Sequence, residues 1–319
     1  MVASHFKVTK HAYLFHLITQ LLSKMLLKTI KKKPLLKTVL NFSKTYSTTV
    51  QAQVTKVKGQ TTNYVKTGQG NRNILCFPGA LGTIWSDFKP QINDLANEKF
   101  TVIAWDPPGY GFSRPPERNF CQKFYENDAD TAHDFMQHLG VKKFSLLGWS
   151  DGGISSMILA AKYPESVEKL VIWGANSYVI PEEIESYEKI RDVSKWSDKM
   201  KAPLVKLYTE AGLQKMWNDW CDAVTEMYVK NQGNICKEIL GQIKCPTLIL
   251  HGDKDPMVAS EHPSYLESHI AGARSVPRDF KLAPDWPIFR LYRFPDGKHN
   301  IHLRYAPEFN KIVSEFLLN

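Results

Sequence analysis

The sequence predicts an α/β fold: a mostly parallel, twisted sheet with helices on both faces and a helical cap inserted late in the chain. Three observations predict it. Short apolar runs occur at Ile74–Phe77, Thr101–Trp105, Phe144–Gly148, Leu170–Trp173, Thr247–His251 and Leu291–Phe294, bounded by Gly or Pro. Runs of this length suit strands buried on both faces. Segments of helical character lie between them, near 87–98, 123–139, 153–163 and 260–271, and strand–helix alternation implies a parallel sheet. Residues 178–242 break the alternation, with Tyr187, Trp196, Tyr208, Trp217, Trp220 and Met227 in a long helical stretch. That stretch lies between two strands, so it reads as a helical cap over the sheet's carboxyl edge. Its aromatics suit an ordinary helix core as well as a lid over a pocket.

The elements follow in order. V-T-K-V (54–57) and N-Y-V-K (63–66) read as an antiparallel pair that opens the fold. The core is expected over 51–177 and 243–319, with the cap over 178–242. The last helix carries Phe309, Ile312, Val313, Phe316 and Leu317 on one face, at the spacing of an amphipathic helix packed on a sheet. The segment Ser275–Arg290 contains Pro277, Pro284 and Pro287 and reads as an atypical insertion loop at the entry of the last strand.

Charge sets the N-terminal residues apart. The 319-residue chain has a formal net charge of +9. Residues 1–52 hold nine Lys and no acidic residue, and the remainder balances thirty-two basic against thirty-two acidic side chains. The excess is therefore not a nucleic-acid-binding surface. Leu14, Leu17, Ile18, Leu21 and Met25 follow helical spacing, Lys24, Lys28 and Lys31 lie on another face, and 41–52 is rich in Ser and Thr. A basic, acid-free, hydroxyl-rich amphipathic segment describes a cleavable mitochondrial presequence over 1–50, although the absence of Arg is atypical. His16, Gln20 and Lys24 interrupt the apolar run that a membrane span needs, so no stable membrane insertion is expected. The five Cys, at 76, 121, 221, 236 and 245, include no C-x-x-C and read as reduced thiols rather than a disulfide framework or zinc site.

The chemistry centres on Gly148-Trp149-Ser150-Asp151-Gly152, a G-x-S-x-G motif. A lone match is weak, but here a strand precedes it. A helix follows, with Ile154, Met157, Ile158 and Ala161 on one face. Strand, tight turn and helix form a nucleophile elbow. A serine hydroxyl needs a base, and the base needs an orienting carboxylate, supplied in this architecture in the order Ser, acid, His. Asp255 follows the strand T-L-I-L-H, and His299 follows L-Y-R-F; both sit where strand carboxyl ends assemble a site. Asp253 competes for the acid's role, while His251, His262 and His302 are less well placed than His299. The oxyanion needs two preorganised N–H donors. One is Asp151; the other is expected from Pro78-Gly79-Ala80-Leu81-Gly82, with Ala80 preferred over Leu81.

Several stretches carry a family resemblance: FPGALG (77–82), WDPPGYGFSRPP (105–116), LLGWSDGG (146–153), VIWGANSYV (171–179), IRDVSKWS (190–197), and HGDKDP with GKHN. From about residue 60 to 319 the chain resembles the α/β-hydrolases and, among them, the biphenyl hydrolase-like (valacyclovir hydrolase) family. The resemblance implies a cofactor-free serine hydrolase of α-amino-acid esters, associated with mitochondria. It implies Ser150, Asp255 and His299 as the triad, and Asp151 as the residue that holds the substrate ammonium. A carboxylate beside the nucleophile also has a physical reading. At ~6 Å and an effective dielectric of ~20 it would oppose the oxyanion by ~3 kcal/mol, a cost that a substrate cation offsets. The sequence departs from the family at Asp106-Pro107-Pro108-Gly109, where relatives have Arg, at Pro78, where many carry His, and at 275–290.

The expected enzyme takes a small-molecule ester with an α-amino group, uses no cofactor or metal, binds no nucleic acid and is a monomer. A carbon–carbon hydrolase of ring-cleavage products belongs to the same fold but needs a pocket for an acidic dienoate. A non-catalytic binding module is the alternative from a different class. A dehalogenase is excluded, because it needs an acidic nucleophile and position 150 is Ser.

Overall fold

The computed structural model describes residues 50–274 and 291–319; the presequence and the insertion expected at 275–290 lie outside them. Residues Val50–Asn319 form one compact unit, so core and cap are not separate bodies. Its sheet has eight strands: β1 (Gln53–Val57), β2 (Gln60–Gly68), β3 (Arg72–Phe77), β4 (Phe100–Trp105), β5 (Phe144–Trp149), β6 (Val167–Trp173), β7 (Thr247–Gly252) and β8 (Leu291–Phe294). They lie in the order β1-β2-β4-β3-β5-β6-β7-β8. β1 and β2 pair antiparallel, as do β2 and β4, and the pairs from β4 to β8 are parallel.

Eleven described helices complete the fold: α1 (Ile84–Asp87), α2 (Lys89–Asp94), α3 (Phe124–His138), α4 (Asp151–Lys162), α5 (Pro181–Lys189), α6 (Asp198–Tyr208), α7 (Glu210–Asn231), α8 (His262–His269), α9 (Ala271–Arg274), α10 (Ile301–Arg304) and α11 (Ala306–Leu318). The single helix expected near 87–98 is instead the short pair α1 and α2. The break falls at Phe88, which leaves helical geometry before Pro90 opens the next helix. Among the described residues no helix is long and apolar enough to cross a membrane.

Strand alternation sorts the buried side chains into two cores. Leu75, Phe77, Ile103 and Trp105 join α3 and α4 on one face; Ile74, Cys76, Val102 and Ala104 join α1, α2 and α11 on the other. Adjacent strand residues point to opposite faces, so a run buried on both faces loses its polar positions and reads as continuously apolar. The amphipathic face of α11 is buried as its spacing requires: Phe309, Ile312 and Val313 are fully covered.

The cap is tied to loops at the strand carboxyl ends. The Tyr208 hydroxyl of α6 donates to the Leu81 carbonyl at 3.2 Å and accepts from Gly111 N–H at 2.8 Å. The Tyr187 hydroxyl of α5 donates to the Met257 carbonyl at 3.1 Å. Glu183, also on α5, accepts from Ala259 N–H at 2.9 Å. Below these ties, buried Asp106 accepts from Asn63 Nδ2 at 2.8 Å and from the Ile84 and Phe112 N–H groups at 2.9 Å each. One carboxylate thus joins β2, α1 and the loop beneath α6.

Replacing Asp106 with Ala orphans two buried donors, Asn63 Nδ2 and Ile84 N–H, each costing about 1–3 kcal/mol, and frees the part-buried Phe112 N–H. The variant Asp106→Ala is expected to melt roughly 4–24 °C below the parent. A melting point within 2 °C of the parent, measured by calorimetry, would show that the joint is dispensable.

Candidate active site

β3 lies at the centre of the sheet, with the chain proceeding to β4 on one side and β5 on the other. Ligands of α/β sheets bind at this reversal of strand order, outside the carboxyl ends. Ser150 ends β5 there and caps α4. Its backbone has φ 54° and ψ −122°, a conformation that costs of order 1–3 kcal/mol in a non-glycine residue. The surroundings hold it. Ser150 N–H donates to the Trp173 carbonyl at 3.0 Å, and the Ser150 carbonyl accepts from Gly153 N–H at 2.8 Å. The flanking glycines are steric necessities. A Cβ on Gly152 would lie 2.1 Å from the Phe77 carbonyl oxygen, and one on Gly148 would lie 2.5 Å from Ser156 Oγ.

The next loop over supplies the expected oxyanion segment. Gly82 N–H closes on the Gly79 carbonyl at 3.0 Å, which places Ala80 and Leu81 at the corners of a turn. Leu81 takes φ 60° there, the left-handed value that the third position of a type II turn requires. Gly79 packs on the elbow, since a Cβ there would sit 3.3 Å from Ser150 Cβ. Beneath the turn, buried Asp87 accepts from Gly79 N–H at 3.1 Å and from Ser86 Oγ at 2.6 Å. Burial pushes its carboxyl up to about 7 against these hydrogen bonds.

The loops after β7 and β8 are pressed together. A Cβ on Gly252 would lie 2.5 Å from the Gly297 carbonyl carbon, and Lys254 N–H donates to the Gly297 carbonyl at 2.8 Å. This contact joins Asp255 to His299: Asp255 Oδ2 is 2.8 Å from His299 Nδ1. Asp255 Oδ1 accepts from Met257 N–H at 2.8 Å and Val258 N–H at 3.2 Å, so both oxygens are engaged. Burial would raise the Asp255 carboxyl, but His299 and the Met257 N–H hold it below the ordinary range. Burial likewise opposes charge on His299, and Asp255 outweighs it, raising His299 above 6.5. The base is tied to the elbow by Trp149, whose indole N–H donates to the His299 carbonyl at 2.9 Å. Gly174 leaves room for the imidazole, since a Cβ there would be 3.0 Å from Nδ1.

Geometry separates the alternatives left open by the sequence. Asp253 is exposed and pairs with Arg293 at 2.9 Å. His302 is buried among Trp149, Trp173 and Phe309, with Nδ1 accepting from Trp173 Nε1 at 2.9 Å; burial drops it to about 3. His262 lies 2.9 Å from Glu183. His251 is buried and pushed down to about 4 by that burial.

Asp151 is 8% exposed. Its Oδ1 accepts from the Tyr125 hydroxyl of α3 at 3.1 Å, and its Oδ2 accepts from Trp220 Nε1 of α7 at 2.7 Å. Burial pushes its carboxyl up to about 6, while the two donors and the more distant Arg118 pull it down. Arg118 is occupied by Asp128, with contacts of 2.6 and 2.7 Å. Sequence reasoning missed Tyr125, Trp149, Gly174 and the role of Trp220. The aromatic richness of 178–242 was the only signal for Trp220, and a helix core has the same composition. Among the described residues no cluster of His, Cys, Asp and Glu could hold a metal ion.

Comparison with known proteins identifies the family. Residues 72–218 match the family model for the alpha/beta hydrolase fold. The chain is 46% identical over 273 residues to serine hydrolase BPHL of Mus musculus, covering 86% of this chain and 88% of that protein. The chain belongs to the α/β-hydrolase family. Serine hydrolase BPHL of Homo sapiens is 44% identical over 272 residues, covering 85% of this chain and 88% of that protein. The fold is shared with a meta-cleavage product hydrolase from Pseudomonas fluorescens IP01, at a TM-score of 0.65 and 22% identity over 84% of this chain and 97% of that one. The protein is a serine hydrolase of this family.

The site generates two expected outcomes. Gly152→Ala drives a methyl group into the Phe77 carbonyl, so esterase activity should fall at least 100-fold or the protein should fail to fold; parent-like turnover would contradict the elbow packing. A base must be neutral to accept a proton, so activity on an uncharged ester should rise through an apparent pKa above 6.5. Asp255→Asn removes the carboxylate that raises His299, and that limb should then move to lower pH, with a large loss of rate.

Proposed function

We propose that this serine hydrolase cleaves carboxylic esters of α-amino acids through an acyl-enzyme on Ser150. The observation that carries the reading is the buried Asp151 carboxylate, one residue from the nucleophile, with both oxygens held by uncharged donors. At an upper value near 6 it is largely ionised at neutral pH. Left alone, it opposes the negative charge that develops on the substrate carbonyl. An α-ammonium beside that carbonyl removes the opposition; at ~4 Å and an effective dielectric of ~20 the attraction is about 4 kcal/mol.

In the proposed reaction His299 takes the Ser150 proton as the serine oxygen attacks the ester carbonyl. Asp255 keeps the imidazole oriented and stabilises its cationic form. The N–H groups of Ala80 and Asp151 receive the oxyanion; that of Asp151 opens α4, where the first backbone donors have no intrahelical acceptor. His299 returns the proton to the leaving alcohol. Water then attacks the acyl-enzyme, His299 accepts its proton, and the free amino acid departs. No metal or cofactor is needed for these steps. A carbon–carbon hydrolase acting on an acidic dienoate is the weaker reading, because Asp151 would repel the substrate anion.

The test compares the phenyl esters of alanine and of propanoic acid, which differ only in the α-amine. The parent should prefer the alanine ester strongly. Ser150→Ala should abolish turnover of both, and Asp151→Asn should cut the preference by roughly 10–100-fold, the scale of a hydrogen bond to a charged group. A preference that survives Asp151→Asn would remove the ammonium reading while leaving the triad. We also propose mitochondrial import directed by the Lys-rich, acid-free residues 1–50; a reporter fused to them that stays cytosolic would refute it.

A further inference from the structure

Trp220 stands sixty-nine residues from Asp151 in the chain, yet its Nε1 lies 2.7 Å from Asp151 Oδ2. The indole N–H only donates, and here its acceptor is a buried carboxylate. The ring has little freedom to turn away. It stacks on Trp217 with centroids 4.7 Å apart and planes 13° apart, and meets Tyr187 edge-on at 5.0 Å. Tyr187 is itself bonded to the Met257 carbonyl, two residues beyond Asp255. The indole is therefore set by a stack that runs from the cap to the loop carrying the triad acid.

The charge balance around Asp151 matters as much as the geometry. Both direct donors are neutral. The cation that acts on it, Arg118, has its guanidinium bound in two places by Asp128 and lies 4.5 Å above the Tyr110 ring. The carboxylate is thus held in place without being neutralised, and its charge remains available to a ligand.

We propose that Trp220 is a specificity-determining positioning residue: its indole N–H, opposite the Tyr125 hydroxyl, fixes the Asp151 carboxylate for the α-ammonium of the substrate. This rests on the amino-acid ester reading above. It makes amine recognition a joint property of core and cap, since Tyr125 is on core helix α3 and Trp220 on cap helix α7. The groups that face Asp151 are Tyr125 and Asp128 from α3, Tyr110 and Arg118 from the segment before it, Tyr187 from α5, Trp220 from α7, and His299. Of the two donors, Trp220 makes the shorter bond, 2.7 Å against 3.1 Å for Tyr125, and that bond favours the ionised acid.

The test is Trp220→Phe, which keeps an aromatic ring and removes the N–H. Steady-state rates on the phenyl esters of alanine and propanoic acid are taken across pH 5–9, and the ratio of the two kcat/KM values cancels the titration of His299. The ratio should fall roughly tenfold near neutral pH, and its acid limb should move to higher pH because the ionised acid has lost a donor. The propanoate ester should lose clearly less than the alanine ester. Equal losses on both esters, or an unchanged ratio and limb, would overturn the proposal. Asp151→Asn in the same assay separates the two readings. If it removes the preference and Trp220→Phe does not, only the role of Trp220 falls; if it leaves the preference intact, the ammonium site at Asp151 falls and takes this proposal with it. Should Trp220→Phe fail to fold, Tyr125→Phe applies the same criteria to the other oxygen.

Discussion

The close approach of Gly152 to the end of β3 is the constraint on which the rest of the site depends. Ser150 can hold its unfavourable backbone angles only because α4 starts hard against the Phe77 carbonyl, at a distance no side chain permits. That contact fixes three things together. It aims the serine out of the sheet, it points the first amides of α4 toward the same space, and it brings the Gly79–Gly82 turn alongside. Strain of this kind persists only where surrounding structure over-determines it; here β3, β5, β6 and α4 all contribute.

A second tight joint serves the base. The loops after β7 and β8 touch through Gly252 and Gly297, so Asp255 and His299 meet although forty-four residues separate them. The Asp255 carboxylate has no spare oxygen, and its partner imidazole is further held through its own carbonyl by Trp149. Because Trp149 precedes Ser150 directly, the elbow and the base are held by neighbouring residues of one turn. Burial lowers His251 and His302, whereas Asp255 raises the part-buried His299.

Asp151 shows how a fold shared by many hydrolases can carry a buried charge beside its nucleophile. Helices such as α4 have free amides at their start whatever the residue, so the oxyanion donor is a backbone property. The side chain at the same position is free to vary, and here it is an acid shielded from water by Tyr125 and Trp220. Burial raises its proton affinity and the two donors lower it, leaving a carboxylate that ionises just below neutral pH. The cap supplies one of those donors, so its aromatic core is part of the site as well as its cover.

Much of the protein was legible from residue order alone. Strands buried on both faces have to be apolar at successive positions, which marked β3 to β7; β8, expected to be buried on both faces, is instead a part-exposed edge strand carrying Arg293. The elbow is a local structure of five residues, and the Ser, acid, His order follows from which strand ends lie near the switch in strand order. Periodicity could not choose Asp255 over Asp253, because the two lie two residues apart in one loop and differ in which partner each meets when β7 pairs with β8. Nor could it place Trp220 on Asp151: a tryptophan in an aromatic helix has the same sequence signature whether its N–H meets solvent, a carbonyl or a carboxylate. Local geometry is written in local spacing. The partner of a buried polar group is decided by how distant elements dock, and for Asp151 that meant the packing of the cap.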